Sequence, residues 1–146
     1  MQALYGGDEE SARELAQDAD LDVFEAASLG KVERLRELLE GDQSLARARS
    51  DDDFTALHYA AFFDGVEAAR VLLEYDAEVN SFADNELGVR PLNSAAAAGK
   101  TDVATLLLEH GADPNAPTKS GFTPLDAARE NNDDQLADLL RSHGAS

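Results

Sequence analysis

The sequence lacks cysteine and tryptophan, and only three of its 12 basic residues are lysine. The absence of cysteine excludes disulfides, thiolate catalysis and metal sites with sulfur ligands. No apolar run approaches the roughly 18 residues that a membrane-spanning helix needs. The first ten residues, MQALYGGDEE, contain neither a basic n-region nor an apolar h-region, so they do not predict a signal peptide. These absences favour a cytoplasmic protein that needs no cofactor.

Acidic residues outnumber basic ones: the chain has 30 Asp and Glu but only 12 Lys and Arg, which gives a net charge of -18. A field of this sign repels nucleic acid and anionic lipid, so both are poor partners. It attracts a protein that presents a basic patch. The same acidity is typical of adaptation to high salt, and composition does not separate the two explanations. The hydrophobic fraction of 43% is enough for the core of one domain.

One sequence pattern recurs at intervals of 33 to 35 residues. Copies begin at Thr55 (TALHYAAFFDGVEAARVLLEYDAEVN), Arg90 (RPLNSAAAAGKTDVATLLLEHGADPN) and Thr123 (TPLDAARENNDDQLADLLRSHGA). The upstream segment VFEAASLGKVERLRELLEGDQSL matches the Thr55 copy with a shift of 34 residues, and GGDEESAREL near the chain start matches in part. A regular repeat of this length predicts a solenoid.

Each copy contains the signals of two short helices. Pro91 and Pro124 stand at a first helical position, where a backbone N–H is not needed. Gly30 and Gly99 then end the first helix, and apolar residues at helical spacing mark a second one. The predicted helices cover residues 8–17, 23–29, 32–40, 56–63, 66–74, 91–98, 101–109, 124–131 and 134–142.

These copies resemble the ankyrin-repeat family, whose unit runs roughly T-P-L-H-x-A-A-x-x-G-H-x-x-x-V-x-x-L-L-x-x-G-A-D-x-N. The resemblance extends from about residue 3 to residue 144. It implies an all-α solenoid of helix pairs, each followed by a β-hairpin-like finger. About four full repeats plus an N-terminal half-repeat cap are expected, over residues 1–20, 21–53, 54–88, 89–121 and 122–146. Polar outer faces on both end units suggest caps, and hence a complete protein. A monomer is expected.

Several turn positions depart from the family pattern. Asp64, Asp76 and Asn132 stand where the family has glycine, and Asp53 stands where Gly88 stands in a later finger. Asp and Asn are the non-glycine residues that best tolerate a left-handed backbone, so we expect the turns to persist.

Candidate catalytic residues are few. His58 occupies the structural histidine position of the family pattern, and we expect its ring to bond near Thr55 and neighbouring backbone. His110 and His143 occupy equivalent helix ends on adjacent repeats, roughly 10 Å apart, which is too far for one metal ion. The run 51–53 lacks the spacing of a calcium loop and is interpreted as a solvated finger tip. The sequence therefore predicts no catalytic residue, no metal and no cofactor.

The remaining polar candidates are Asn80 and Asn115, which stand at finger entrances and are interpreted as turn residues. The finger between Asn80 and Arg90 is two residues longer than the next one, which makes it a candidate contact loop.

Two adjacent aromatic residues, Phe62 and Phe63, follow the Ala-Ala pair of a first helix. The resemblance places them on the concave face, where other copies hold Ser28-Leu29, Ala97-Ala98 and Glu130-Asn131. They are either interface anchors or rings packed against small neighbours, and we expect one ring in the core and one available. The predicted partner-binding set, an apolar centre with an acidic rim, is Phe62, Phe63, Phe54, Asp51, Asp52, Phe82, Glu86, Leu87, Val89 and Phe122.

The sequence thus predicts a non-catalytic protein-binding module, an adaptor, inhibitor or scaffold, that uses its concave face and finger tips. One alternative is an acidic-groove protein that binds a small ligand or cation, or an enzyme accessory subunit. It needs a convergent polar pocket, which the sequence does not offer. Another is a designed or reconstructed repeat protein without a natural partner. The differences between units at framework positions favour a natural sequence.

Overall fold

The computed structural model describes residues 19–146, in which eight α-helices form four successive pairs. The helices are α1 (Val23–Leu29), α2 (Val32–Gly41), α3 (Ala56–Phe62), α4 (Val66–Glu74), α5 (Pro91–Ala98), α6 (Thr101–Glu109), α7 (Pro124–Glu130) and α8 (Asp134–Ser142). A 3-10 turn, Gln43–Ala46, follows α2. The described part holds no β-strand, only an isolated bridge between Arg49 and Thr55. The predicted all-α repeat solenoid is confirmed.

The predicted helix bounds agree with the structure to within one residue for all eight described helices. The 3-10 turn after α2 was not predicted. The predicted helix 8–17 lies outside the described residues, as does nearly all of the half-repeat predicted over residues 1–20.

Every first helix of a pair begins with the same local device. The side chain three residues after the N-cap accepts the N-cap backbone N–H, which satisfies a donor that the helix itself leaves free. The acceptors are Glu25 (3.1 Å), His58 (3.1 Å), Asn93 (2.8 Å) and Asp126 (3.0 Å). The repeat position therefore keeps its geometry while its side chain changes.

The turns that lack glycine keep the left-handed backbone. Asp53, Asp64, Asp76 and Asn132 have φ angles of 66°, 62°, 67° and 55°. The expectation that Asp and Asn maintain these turns is confirmed.

The helices pack in two layers, with the first helices of the pairs in one layer and the second helices in the other. Alanines at 60, 61, 95 and 96 are fully buried in the first layer, and their small side chains let successive helices approach closely. Fully buried leucines such as Leu72 and Leu107 fill the space between the layers. The fingers and the adjoining side of the first-helix layer together form one surface, which we call the inner face. It includes Phe54, Phe62, Phe63, Leu87 and Phe122.

Successive repeats are also joined by side-chain amides. The amide of Asn80 donates to the Gly111 carbonyl (3.1 Å) and accepts from the Asp113 N–H (2.9 Å). Asn115 makes the corresponding pair of bonds, both 3.1 Å, to the turn that ends α8. Asn80 and Asn115 thus make the turn hydrogen bonds that were predicted, and the turns they bond to belong to the next repeat.

The ion pairs between repeats lie at the surface. Arg36 contacts Glu74 at 3.2 Å and Arg47 contacts Glu78 at 3.0 Å, with about half of each side chain exposed. Exposed pairs of this kind contribute about 0–1 kcal/mol. They therefore offset little of the repulsion expected from a net charge of -18.

We expect salt to stabilise this chain, because it screens like charges on neighbouring repeats over about 8 Å. Raising NaCl from 20 to 500 mM should stabilise it by roughly 1 kcal/mol, or about 4 °C in Tm, measured by circular dichroism. A variant with both Glu33→Lys and Glu109→Lys, whose net charge rises by four from -18 to -14, should gain less. A Tm that is flat or falls with salt in the parent chain would contradict this prediction.

Candidate functional site

Phe62 and Phe63 lie at the C-terminal end of α3 on the inner face, and they are 50% and 55% exposed. Their rings meet edge to face, with centroids 5.0 Å apart. The expectation that one ring is in the core is wrong. Ala60 and Ala61 already fill the buried side of α3, and the helix ends at Phe62, so both rings leave the core at the helix end.

The two rings border a groove on the inner face, which we call the first groove. It has a volume of about 260 Å³ and is lined by Phe54, His58, Tyr59, Phe62, Phe63, Leu87 and Ser94. Phe54 comes from the finger before α3 and Leu87 from the finger before α5, so the groove spans two repeats. Its wall is braced, because the Phe54 ring packs against His58 (5.5 Å) and Tyr59 (5.6 Å).

A second groove continues from the first toward the next repeat. It has a volume of about 230 Å³, shares Phe62, Leu87 and Ser94 with the first groove, and adds Val89, Ala97 and Phe122 among others. Phe122 belongs to the finger before α7. The two grooves thus form one apolar track across three fingers.

His58 forms part of the floor of the first groove. Its Nδ1 accepts the Thr55 N–H at 3.1 Å, so the proton of the neutral ring is on Nε2, which donates to the Val89 carbonyl at 3.0 Å. Burial lowers the pKa of His58 from its ordinary 6.5 to about 4. The predicted structural role of His58 is confirmed: it links α3 to the next finger and remains neutral. Asn93 makes the same kind of link one repeat later, to the Ala116 carbonyl at 2.9 Å.

An acidic cleft adjoins the first groove and shares Phe54 and Leu87 with it. Its volume is about 430 Å³, and it carries the carboxylates of Asp51, Asp52, Asp53, Asp84 and Glu86. Asp53 is compensated, since it pairs with Arg49 at 3.2 Å and accepts the Asp84 N–H at 2.7 Å. Within residues 19–146, the other four carboxylates have no ion-pair or hydrogen-bond partner.

The helix pairs of the structure agree with the result of comparing the sequence with models of known protein families. The family model described as "Ankyrin repeats (3 copies)" matches residues 1–83 and 80–146. This chain belongs to the ankyrin-repeat family. Ankyrin repeats generally mediate protein–protein interaction.

Several characterised proteins share this ankyrin region. The human ARF GTPase-activating protein GIT1 is 40% identical over 98 residues, which are 63% of this chain and 13% of that protein. Regulatory protein NPR5 of Arabidopsis thaliana is 32% identical over 117 residues, 75% of this chain and 24% of that protein. The 26S proteasome non-ATPase regulatory subunit 10 of Dictyostelium discoideum is 35% identical over 92 residues, 63% of this chain and 39% of that protein. The match thus spans well under half of each relative.

The ankyrin inner face brings most of the predicted binding residues together. Phe54, Phe62, Phe63 and Leu87 line the first groove, Val89 and Phe122 line the second, and Asp51, Asp52 and Glu86 line the cleft. Phe82 lines none of the three. The Arg90 guanidinium lies over the Phe82 ring, 5.1 Å from its centroid. The Phe82 carbonyl accepts a hydrogen bond from the Arg49 guanidinium at 2.8 Å. Phe82 therefore helps to hold its finger in place.

Sequence reasoning missed Tyr59, Ser94 and Asp84. Tyr59 lies three and four residues before the two phenylalanines, and this helical spacing was an available signal. Asp84 lies in the longer finger, which was recognised as a contact loop. Ser94 is shared by both grooves, and the sequence carries no signal for its place there.

The two grooves present mainly apolar side chains. No group of three or more His, Cys, Asp or Glu among residues 19–146 is placed to hold a metal ion. Every buried polar side-chain atom in this part of the chain has a hydrogen-bond partner. None of the helices that the structure describes is long and apolar enough to span a membrane.

Proposed function

We propose that this ankyrin-repeat chain binds a protein partner through the two apolar grooves of its inner face, and that it serves as an adaptor, inhibitor or scaffold without catalysis of its own. The observation that carries the proposal is the pair Phe62 and Phe63, side by side and both half exposed. Adjacent exposed aromatic rings on a soluble protein are typical of an interaction site.

The fold itself does not need these rings. The same helix end is formed by Ala97-Ala98 in α5 and by Glu130-Asn131 at the end of α7, with the same left-handed turn following. Among the repeats within residues 19–146, aromatic side chains at this helix end are therefore not required for the fold, which supports a role in binding.

The rings are also prepared for binding. Phe62 and Phe63 hold each other edge to face, and Phe54 is held by Tyr59. Because these contacts restrict the rotamers of the rings before a partner covers them, less rotamer entropy is lost on binding. Burying an exposed Phe contributes about 1.5–3 kcal/mol, enough for either ring to dominate an interface of ordinary size.

We expect Phe62→Ala and Phe63→Ala each to weaken binding of a captured and purified partner at least tenfold, or about 1.4 kcal/mol. Their free energies of unfolding should fall by less than about 1.5 kcal/mol, because a buried Phe would cost about 3–5 kcal/mol and these are half exposed. Isothermal titration calorimetry and urea unfolding measure the two quantities.

Leu29→Ala is the matched control. Leu29 ends α1, is 62% exposed and lines neither groove, so its truncation should leave the affinity unchanged. A partner that binds both Phe variants as tightly as the parent chain would refute binding through the inner face.

A further inference from the structure

We infer that the partner segment carries an apolar anchor with lysine or arginine close beside it, the anchor in the first groove and the cation in the acidic cleft. This inference rests on the proposed function and specifies the ligand chemistry of the same site. The occupant is thus an amphipathic basic segment of another protein.

The first groove and the cleft share two walls, Phe54 and Leu87. Phe54 and Leu87 therefore separate the two spaces. A partner side chain that packs against them in the first groove lies next to the cleft that holds the carboxylates of Asp52 and Glu86. A residue next to the anchor in sequence, or one helical turn away, therefore reaches the cleft with a long basic side chain.

The charge of the cleft selects a cation. The carboxylates of Asp51, Asp52, Asp84 and Glu86 are exposed, and no basic side chain among residues 19–146 pairs with them. The nearby Arg49 is already engaged by Asp53. A bound cation relieves the repulsion within this cluster, whereas an acidic segment increases it.

The track also has a direction. The second groove, at the far side of Phe62 and Leu87, is lined by no charged residue. Lys119, from the finger before α7, reaches the edge of the cleft, where its ammonium group donates to the Asn85 carbonyl at 3.3 Å, and among residues 19–146 it forms no ion pair with the four carboxylates. The basic end of the segment therefore lies at the fingers before α3 and α5, and further apolar residues run along the second groove.

Selection of a displayed library of random 12-residue peptides on the full chain tests the inference and does not require an identified partner. We expect the enriched peptides to place an aromatic residue, Leu or Met within four residues of Lys or Arg. The strongest peptide, labelled with fluorescein, is then compared by fluorescence anisotropy with a version in which each Lys and Arg is Gln. The Gln version should bind at least fivefold more weakly at 50 mM NaCl, and the gap should narrow at 500 mM.

Charge reversal in the protein provides the reciprocal arm. The double variant Asp52→Lys, Glu86→Lys should bind the basic peptide at least fivefold more weakly and the Gln version no more weakly than the parent chain does. Glu109→Lys, a charge reversal at the end of α6 in the second-helix layer, should change the affinity less than twofold.

The outcomes separate the two proposals. Enriched peptides that lack basic residues, or that ignore the Asp52 and Glu86 reversals while losing affinity in Phe63→Ala, overturn the basic-anchor inference and leave inner-face binding intact. Peptides that bind Phe62→Ala and Phe63→Ala as tightly as the parent, or a selection that enriches no binder, overturn both.

Discussion

Between pH 8 and pH 5 the chain is expected to lose about 2 kcal/mol of its free energy of unfolding through His58 alone. The ring is 2% exposed, and burial is the main cause that lowers its pKa to about 4. The charge of Arg49 acts in the same direction, whereas the hydrogen bond to the Val89 carbonyl and the charge of Asp53 oppose it.

The direction of this pH dependence follows from whether the folded or the unfolded chain takes up the proton first. Below the ordinary pKa of 6.5 the unfolded chain protonates His58, while the folded chain resists until about pH 4. The stabilisation is therefore complete above pH 6.5 and is lost progressively as the pH falls toward 4, for a total of about 3 kcal/mol. Urea unfolding at pH 8, 7, 6 and 5 measures it and stays above the sequence pI of about 4.2.

His58→Asn is the control that the chain itself offers. Asn93 occupies the equivalent position, accepts the Arg90 N–H at 2.8 Å and donates to the next finger, all without titrating. The variant retains His110, His143 and every carboxylate, so the difference in pH dependence between the two proteins isolates His58. Parallel curves for parent and variant would show that His58 does not stay neutral in the fold.

A second large effect is expected at Gly88, where alanine should cost about 3 kcal/mol of unfolding free energy. Gly88 has a φ of +56°, and an added Cβ would overlap the Lys119 Cβ and lie 3.2 Å from the Lys119 Cα. The Gly88 carbonyl also accepts the Lys119 N–H at 2.9 Å. The third finger would have to move away from the second, and that bond would break.

Gly121→Ala separates the steric contribution to the loss of unfolding free energy from the contribution of the left-handed backbone. Gly121 has a φ of +88° and no atom within 4 Å of an added Cβ, so alanine there should cost only about 1 kcal/mol of left-handed strain. Urea unfolding of both variants gives the difference, and faster amide exchange at Lys119 in Gly88→Ala alone would report the displaced finger. Equal losses in the two variants would contradict close packing of the fingers.

The helices could be predicted closely because their signals are local. Proline at the first position, apolar spacing along one face and a left-handed residue at the end all act within about ten residues. The Asp and Asn turns were predictable for the same reason, since the preference belongs to the residue itself. The structural role of His58 was implied by the resemblance to the ankyrin unit, in which it occupies the histidine position.

The geometry of the proposed binding face could be predicted in outline only. Adjacent phenylalanines and acidic fingers are visible in the sequence. The exposure of Phe62 and Phe63, however, depends on where α3 ends and on the burial of Ala60 and Ala61, which occupy the core-facing side of that helix. Phe82 looked equivalent to its apolar neighbours, and its separation from the grooves follows from the Arg90 guanidinium over its ring.

The sequence by itself determined the repeat, its helix pairs, its turns and the acidic charge, because each depends on residue type and short spacing. Only the tertiary structure decided which partners meet across repeats. Asp53, Gly88 and Gly121 all have a left-handed backbone, yet Gly88 alone faces Lys119, 31 residues later, closely enough to exclude a side chain. Asn80 likewise bonds to the turn at Gly111. Such contacts depend on how closely one repeat stacks on the next, a distance that the buried alanines set and that no single repeat contains.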